Sequence, residues 1–431
     1  MPVPRGVLAV ACSGGRDSVA LAHHAVGLLR SGQGPEAVCL LHVHHGLMPQ
    51  ADSWRQFVEG LAQCWRAQGL PVHFMGQRLE GRPAVGDSVE AWAREGRYDA
   101  LAQMAVARGA AEVWLAQHRT DQAETVLLQA LRGAGVAGLA AMPERFTHRG
   151  VVFVRPWLHR GREAIDAEVQ QASWAHVVDP SNDDLRFMRN RVRHQLLPAL
   201  RSCAPGGEAA LCDVAQQAAD AAVVQQAWFD QVRVALRVPS DEGALSLPAW
   251  RALPSVALQR VFLRLWLDDL CQRHAWPRVG RAPLVAWVEA LRRPGEQPAR
   301  SWSLGQGVHA REYRDVLSIT GPAAHEVRLD DAWQRLRVQP AAVGETGLAP
   351  QRLQGAVWRW REGGETMRLG PGRPARCLRK QFQSQGVPSW VRQAPLLWSA
   401  DGRLLFVPGL GIDGAVQEVD APDRVALHWL G

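Results

Sequence analysis

The first ~200 residues alternate between short apolar runs and longer amphipathic stretches. Residues 6–11, 37–43, 71–75, 111–116 and 151–154 are apolar runs of strand length. Between them, residues 18–29, 52–67, 87–108 and 121–131 carry apolar side chains at helical spacing. Asp87, ahead of Ser88, Val89 and Glu90, predicts an N-cap for the third helix. The alternation predicts an α/β fold, a doubly wound parallel sheet with helices on both faces and ligands at the carboxyl ends of its strands.

Past residue 210 the rhythm changes. Residues 207–236, rich in Ala and Gln, predict a long helix, and residues 247–271 and 282–291 predict two more. Residues 301–319 have the shorter period of strands, and 321–350 is a transition into short strands with a basic helix over 376–383. Three domains are expected: 1–210, 211–325 and 326–431, the last two small and mixed α+β.

The first predicted strand runs into Cys12-Ser13-Gly14-Gly15-Arg16-Asp17-Ser18. A tight Gly-Gly turn at a helix N-terminus aims several backbone N–H groups and the helix dipole at one point, an arrangement that holds phosphate. Ser13 and Ser18 add hydroxyls, and Asp17 repels phosphate unless a cation such as Mg²⁺ bridges the two. Ordinary helix capping is the competing explanation. A Walker A loop is excluded, because it needs a lysine beside its Ser or Thr, and Lys380 is the chain's only lysine. In the first 200 residues, arginine, backbone and metal must therefore neutralise any phosphate charge.

The second predicted strand ends in His44-His45-Gly46, where His44 is a candidate ATP contact or a structural residue. After the fourth strand, Asp121 and Glu124 lie three apart on one helical face. They either cap the helix or hold a cationic cosubstrate or metal. Arg186, Arg189 and Arg193 are spaced to share another helical face, to clamp phosphates of ATP or RNA or to face solvent.

Composition changes the picture little until charge is localised. Apolar residues at 47% and charged residues at 21% are ordinary for a soluble globular protein. No apolar run approaches the ~20 residues of a membrane span, and the run over 7–12 is too short for a signal-peptide core. Seven scattered cysteines without a CxxC pair argue against zinc or iron–sulfur sites and for reduced thiols in a cytoplasm. Cys12 is expected to be a small buried residue rather than a nucleophile. Nine basic residues against two acids between Arg352 and Arg392 give a local excess equal to the whole chain's net charge of +7. With Trp358, Trp360 and Trp390 interleaved, that segment suits a nucleic-acid partner, a solvated basic face being the alternative.

The Ser-Gly-Gly-x-Asp-Ser loop resembles the PP-loop of N-type ATP pyrophosphatases, which split ATP between the α and β phosphates. The blocks 13–18, 42–47, 116–125 with Arg132-Gly133 and Gly138-Leu139, Arg155-Pro156, and 179–193 are similar, in order, to those of bacterial tRNA(Ile)-lysidine synthetases. So are 376–382, 386–390 and 407–410, and the resemblance spans nearly the whole chain. It implies adenylation at C2 of cytidine 34 in a CAU-anticodon tRNA(Ile), then attack by the ε-amine of L-lysine. The products are lysidine, AMP and pyrophosphate, and decoding changes from AUG to AUA.

Carried over by position, Ser13, Gly14, Gly15, Arg16, Asp17, Ser18 and His44 would hold ATP, with Asp17 on Mg²⁺. Asp121 and Glu124 would bind lysine, and Arg193 would sit near the reacting groups. Arg189, Asn190, Arg376, Arg379 and Lys380 would contact tRNA, with the second and third domains gripping its body and acceptor stem. Thr120 stands where the family usually has an Asp, and Phe187 where it usually has Tyr. Competing readings are a PP-loop thiolase, a glutamine- or ammonia-using PP-loop synthetase, and an inactive nucleotide-gated tRNA-binding protein. No membrane partner is expected, and a homodimer is left open.

Overall fold

A computed structural model of the chain describes residues 6–44, 50–79, 81, 89–238, 241–276, 278–293, 299–321, 328–342, 344–388, 391–418, 421 and 423–429. The expected roles of His45, Gly46, Asp87 and Trp390 fall outside these residues. The chain divides into two compact units, residues 1–224 and 225–431. No described helix is long and apolar enough to cross a membrane.

In the first unit the elements run β1 (Val7–Ala11), α1 (Arg16–Arg30), β2 (Ala37–His44), α2 (Ala51–Ala67), β3 (Val72–Arg78), α3 (Val89–Ala107), β4 (Glu112–Trp114) and α4 (Arg119–Leu131). Then follow α5 (Val136–Leu139), β5 (Arg145–His148), β6 (Val151–Val154), α6 (Arg162–Gln171), α7 (Met188–Arg191), a π-helical turn (Val192–Leu196), α8 (Leu197–Cys203) and α9 (Gly207–Leu236), which runs on into the second unit. The sheet order is β3-β2-β1-β4-β6-β5. All neighbours are parallel except the β5–β6 hairpin.

Two-residue periodicity builds the layers. Leu8, Val10, Val38 and Leu40 pack on one face with Val19 and Leu21 of α1, Val58 of α2 and Ile165 of α6. Ala9, Cys39, Leu41 and Val113 point the other way, onto Leu101, Met104 and Ala105 of α3. Strand order reverses between β1 and β4, the switch point where an open parallel sheet leaves a crevice at its carboxyl edge.

The hairpin strand β5 was not among the expected strands: Arg145-Phe146-Thr147-His148 is too polar to stand out as an apolar run. It is an edge strand, where outward polar residues meet water.

The described residues of the second unit form three hydrophobic clusters. One joins Trp250, Phe262, Trp266 and Trp287 to strands at Ala299–Gly305, Val308–Tyr313 and Val316–Thr320. The helix expected over 247–271 is two, Leu247–Arg251 and Val256–His274, because Pro254 breaks it and Ser255 caps the second through its hydroxyl on the Leu258 amide at 3.2 Å. The other two lie within residues 329–429. The expected transition over 321–350 contributes a strand, Leu336–Pro340, antiparallel to Val425–Trp429.

On α1, the His23 ring stacks on Trp174 at 4.0 Å and meets Trp65 edge-on at 4.8 Å. Burial, with help from Arg30, pushes its pKa down to about 4. The unfolded chain therefore takes up this proton first. The neutral ring's contribution to stability is present above pH ~6.5 and is lost as pH falls through 4. His23→Phe is expected to flatten the stability loss between pH 6.5 and 4, measured as the urea midpoint against pH.

Candidate active site

The phosphate loop is shaped before any ligand arrives. Gly14 has φ +90°, and a Cβ there would lie 3.0 Å from a Val177 methyl, so both backbone and space require glycine. The Val177 amide donates to the Gly14 carbonyl at 2.9 Å, clamping the loop from the chain beyond α6. The Ser18 hydroxyl donates to the Gly15 carbonyl at 2.8 Å and accepts from the Ser13 amide at 3.2 Å. Ser18 is buried and organises the turn, whereas Ser13 is exposed. Arg16 pairs with Asp166 at 2.9 Å and with Asp17 at 3.4 Å, so its charge is already balanced. Burial pushes the Cys12 thiol up to about 11, which removes it as a thiolate nucleophile.

Asp17 is half-buried at the start of α1. His118, just ahead of α4 at the end of the neighbouring strand β4, brings Nε2 to 3.7 Å from Asp17 and 3.5 Å from Asp121. Burial pushes the Asp17 carboxyl up, but the neighbouring His118 ring, with Arg16 and Arg162, outweighs it and holds it at about 2. For His118, burial favours the neutral ring, but Asp17 and Asp121 outweigh it and raise the pKa above the ordinary value. The histidine thus ties the phosphate loop to the acid pair. Sequence reasoning did not single it out: the helix was expected to open at Asp121, three residues later, whereas it opens at Arg119 with His118 at its N-cap.

The Glu124 side chain is fully buried. Its Oε1 accepts from Arg193 Nε at 2.6 Å, and its Oε2 accepts from Arg193 Nη2 at 3.0 Å and Arg189 Nε at 2.8 Å. Asp121 Oδ1 accepts from Arg189 Nη2 at 3.2 Å and Arg193 Nη2 at 3.3 Å, and Oδ2 from the His118 amide at 3.1 Å. Burial works against the charged Arg193 guanidinium, but the two acids overcome it and raise its pKa. Of the three arginines expected to share a face, only Arg189 and Arg193 do. Arg186 precedes α7 and turns back onto Asp184 at 2.7 Å, leaving it exposed. Asn190 is buried and donates to the Ser181 and Asp184 carbonyls, both at 2.9 Å, so it shapes the loop that carries the arginines.

His44 closes β2 buried, with Nε2 at 3.2 Å from Asp52 of α2. In the second unit, Arg376, Arg379 and Lys380 are exposed, as are Arg359, Arg368 and Arg373. Trp360 is exposed, but Trp358, expected to face a nucleic acid, is core: it packs on Trp333 at 5.8 Å and Trp429 at 5.2 Å. Trp360 lies one residue beyond the end of the strand Val357–Arg359, so the pleat that carries Trp358 inward does not carry Trp360 with it.

Residues 2–200 match the model of a PP-loop domain, and residues 356–429 that of a TilS substrate C-terminal domain. A tRNA(Ile)-lysidine synthase of Burkholderia mallei is 37% identical over 96% of this chain and 91% of its own length. The chain belongs to the tRNA(Ile)-lysidine synthase family. Synthases of that name from Ralstonia nicotianae (36% identity, 98% of this chain, 92% of the relative) and Pseudomonas aeruginosa (35%, 93% and 90%) are similarly close. Among solved structures, a U34-tRNA thiolase of Methanococcus maripaludis with its [4Fe-4S] cluster is 11% identical, with a TM-score of 0.41 over 49% of this chain and 70% of the thiolase. The family is one of ATP-dependent ligases, with the PP-loop as the ATP-using domain.

Thr120 is almost wholly buried, and its hydroxyl donates to Glu208 Oε2 on α9 at 2.9 Å. Arg201 Nε holds the other oxygen of Glu208 at 2.6 Å. An aspartate at 120 would face this buried carboxylate at hydrogen-bond range with one arginine for two acids. Thr120→Asp is therefore expected to cost ~1–3 kcal/mol, about 2–4 °C in Tm per kcal/mol for a unit of this size. Scanning calorimetry checks the fall, and Glu208→Gln in the same chain is expected to restore part of it.

Proposed function

We propose that this chain makes lysidine at cytidine 34 of a tRNA(Ile) bearing a CAU anticodon, from ATP and L-lysine, in the cytoplasm. The observation that carries the reading is the adjacency of a glycine-clamped phosphate loop after β1 and an acid pair after β4, joined through His118. In the first step the C2 oxygen of cytosine attacks the α-phosphorus of ATP, and the bond to pyrophosphate breaks. In the second, the lysine ε-amine attacks C2, the C2–O bond breaks with AMP leaving, and the nitrogen gives up its proton.

The residues present suit Mg²⁺: Asp17 offers a hard oxygen ligand kept ionised far below neutral pH, beside a helix N-terminus that favours phosphate. The ion would neutralise charge as pyrophosphate departs. The loop amides and Ser13 bind and orient the triphosphate. Asp121 and Glu124 take the cationic end of lysine. They attract its ammonium and oppose its deprotonation, so their contribution is to position the amine. Arg193, anchored on Glu124, is the guanidinium placed for the reacting phosphate. The exposed Arg376, Arg379 and Lys380 bind tRNA phosphate, within a 326–431 domain that grips the tRNA together with residues 211–325.

An inactive tRNA-binding protein is less well supported, because Thr120 engages α9 and leaves the Asp17–His118–Asp121 chain whole.

With ATP, Mg²⁺ and a CAU-anticodon tRNA(Ile), labelled lysine is expected to enter the RNA with release of pyrophosphate, and elongator methionine tRNA to stay unlabelled. Pyrophosphate without lysine attachment would reassign the nucleophile. Tight tRNA binding without either product would mean an inactive protein. Asp17→Asn is expected to lower kcat at least ~100-fold with tRNA affinity unchanged. Arg376→Gln and Lys380→Gln should each weaken tRNA binding and reduce its log–log salt slope by about 1, read by filter binding from 50 to 200 mM salt.

A further inference from the structure

On that reading lysine is held by Asp121 and Glu124, yet both acids are already engaged. The Glu124 oxygens take three N–H donors, two from Arg193 and one from Arg189. Asp121 takes one from each arginine and one from the His118 amide. Two guanidinium groups balance two carboxylates. A further cation brought into this cluster would leave it with uncompensated positive charge in a partly buried site, which is costly. One guanidinium has to leave as an ammonium enters.

We infer that Arg189 is that group, a built-in stand-in for the substrate ammonium. The two arginines are held differently. Arg193 grips Glu124 with a two-pronged Nε and Nη2 fork and reaches Asp121 only by a longer 3.3 Å contact of the same Nη2; it lies on the π-helical turn beside Val192, and its side chain is 22% exposed. Val192 and Leu197 pack on Ala123 of α4, so the backbone under Arg193 is fixed to the helix that carries the acids. Arg189 instead gives one nitrogen to each acid, Nε to Glu124 and Nη2 to Asp121, and its side chain is 39% exposed. It spans the two carboxylates as the three donors of a lysine ammonium would.

The neighbouring Asn190 amide pins the loop backbone on Ser181 and Asp184, so the Arg189 side chain can leave without the chain unfolding. Exchange keeps the charge of the cluster constant. It also makes lysine compete with a tethered cation, which lowers its apparent affinity until an anion draws the guanidinium away. Arg189 is thus a specificity-determining residue: small guanidinium compounds find their place already filled.

The test is direct lysine binding by titration calorimetry to the full chain, without ATP or tRNA. Arg189→Gln is expected to tighten lysine binding about tenfold, ~1.4 kcal/mol. Guanidinium chloride at millimolar concentration, refilling the vacated place, is expected to undo the gain. Damage to the fold would weaken binding instead, so the direction separates the two. Unchanged or weaker binding in a folded Arg189→Gln protein overturns the stand-in. If that variant does not fold, Arg189→Met, which keeps the aliphatic stem, is measured in the same way. Failure of both to fold would make Arg189 a pillar of the loop and overturn its displacement. Glu124→Gln separates this inference from the reading beneath it. Lysine binding indifferent to Glu124→Gln removes the acid pair as the lysine site. Sensitivity to Glu124→Gln without a gain in Arg189→Gln removes only the stand-in.

Discussion

The Glu124 carboxylate, wholly out of water, is the constraint that the first unit is built around. A buried carboxylate is tolerable only with its partners in place, and removing one typically costs 3–5 kcal/mol. Those partners come from residues 189 and 193, more than sixty positions along the chain, so the segment after α6 has to fold back over α4. On its way, the same segment puts Val177 onto Gly14 and Gly15 and so clamps the phosphate loop. One length of chain therefore fixes both halves of the site.

Much of this was legible beforehand because two periodicities carry it. Alternation of two gave the sheet its faces, and helical spacing placed α1, α2 and α4 to within two or three residues. Where the reading failed, a local rule was outweighed by context. Spacing alone put Arg186 on a face with Arg189 and Arg193, but the helix starts only at Met188 and the Asp184 carboxylate captures the guanidinium first. Interleaved aromatic and basic residues suggested that Trp358 faces a nucleic acid, yet the apolar area of an indole drives it inward once its strand finds Trp333 and Trp429. The PP-loop and acid pair were visible because their residue types are chemically unusual at that spacing. Their electrostatic link through His118 was not, since it depends on β4 lying beside β1.

Thr120 shows the limit more sharply. In the sequence it reads as a missing acid and raises the prospect of a lost site. In the fold its hydroxyl answers Glu208, eighty-eight residues away, and Glu208 is in turn held by Arg201. No local pattern contains that partner. The departure is therefore better explained by packing between α4 and α9 than by loss of chemistry, because the charged chain from Asp17 to Asp121 does not pass through position 120.

The arginines of the two units do different work, although composition counts them alike. In the first unit those nearest the site are committed to acids or carbonyls: Arg16 to Asp166, Arg155 to Gln117 and the Pro143 carbonyl, Arg189 and Arg193 to the acid pair. Committed charges fix geometry and draw little on distant anions, since each is neutralised where it stands. In the second unit, Arg368, Arg373, Arg376, Arg379 and Lys380 are exposed and make no ion pair among the described residues. Exposed, unneutralised cations are what a polyanion meets first, and they confer salt-dependent affinity without base specificity. The acid pair of the first unit is by contrast nearly charge-balanced, two guanidinium groups facing two carboxylates.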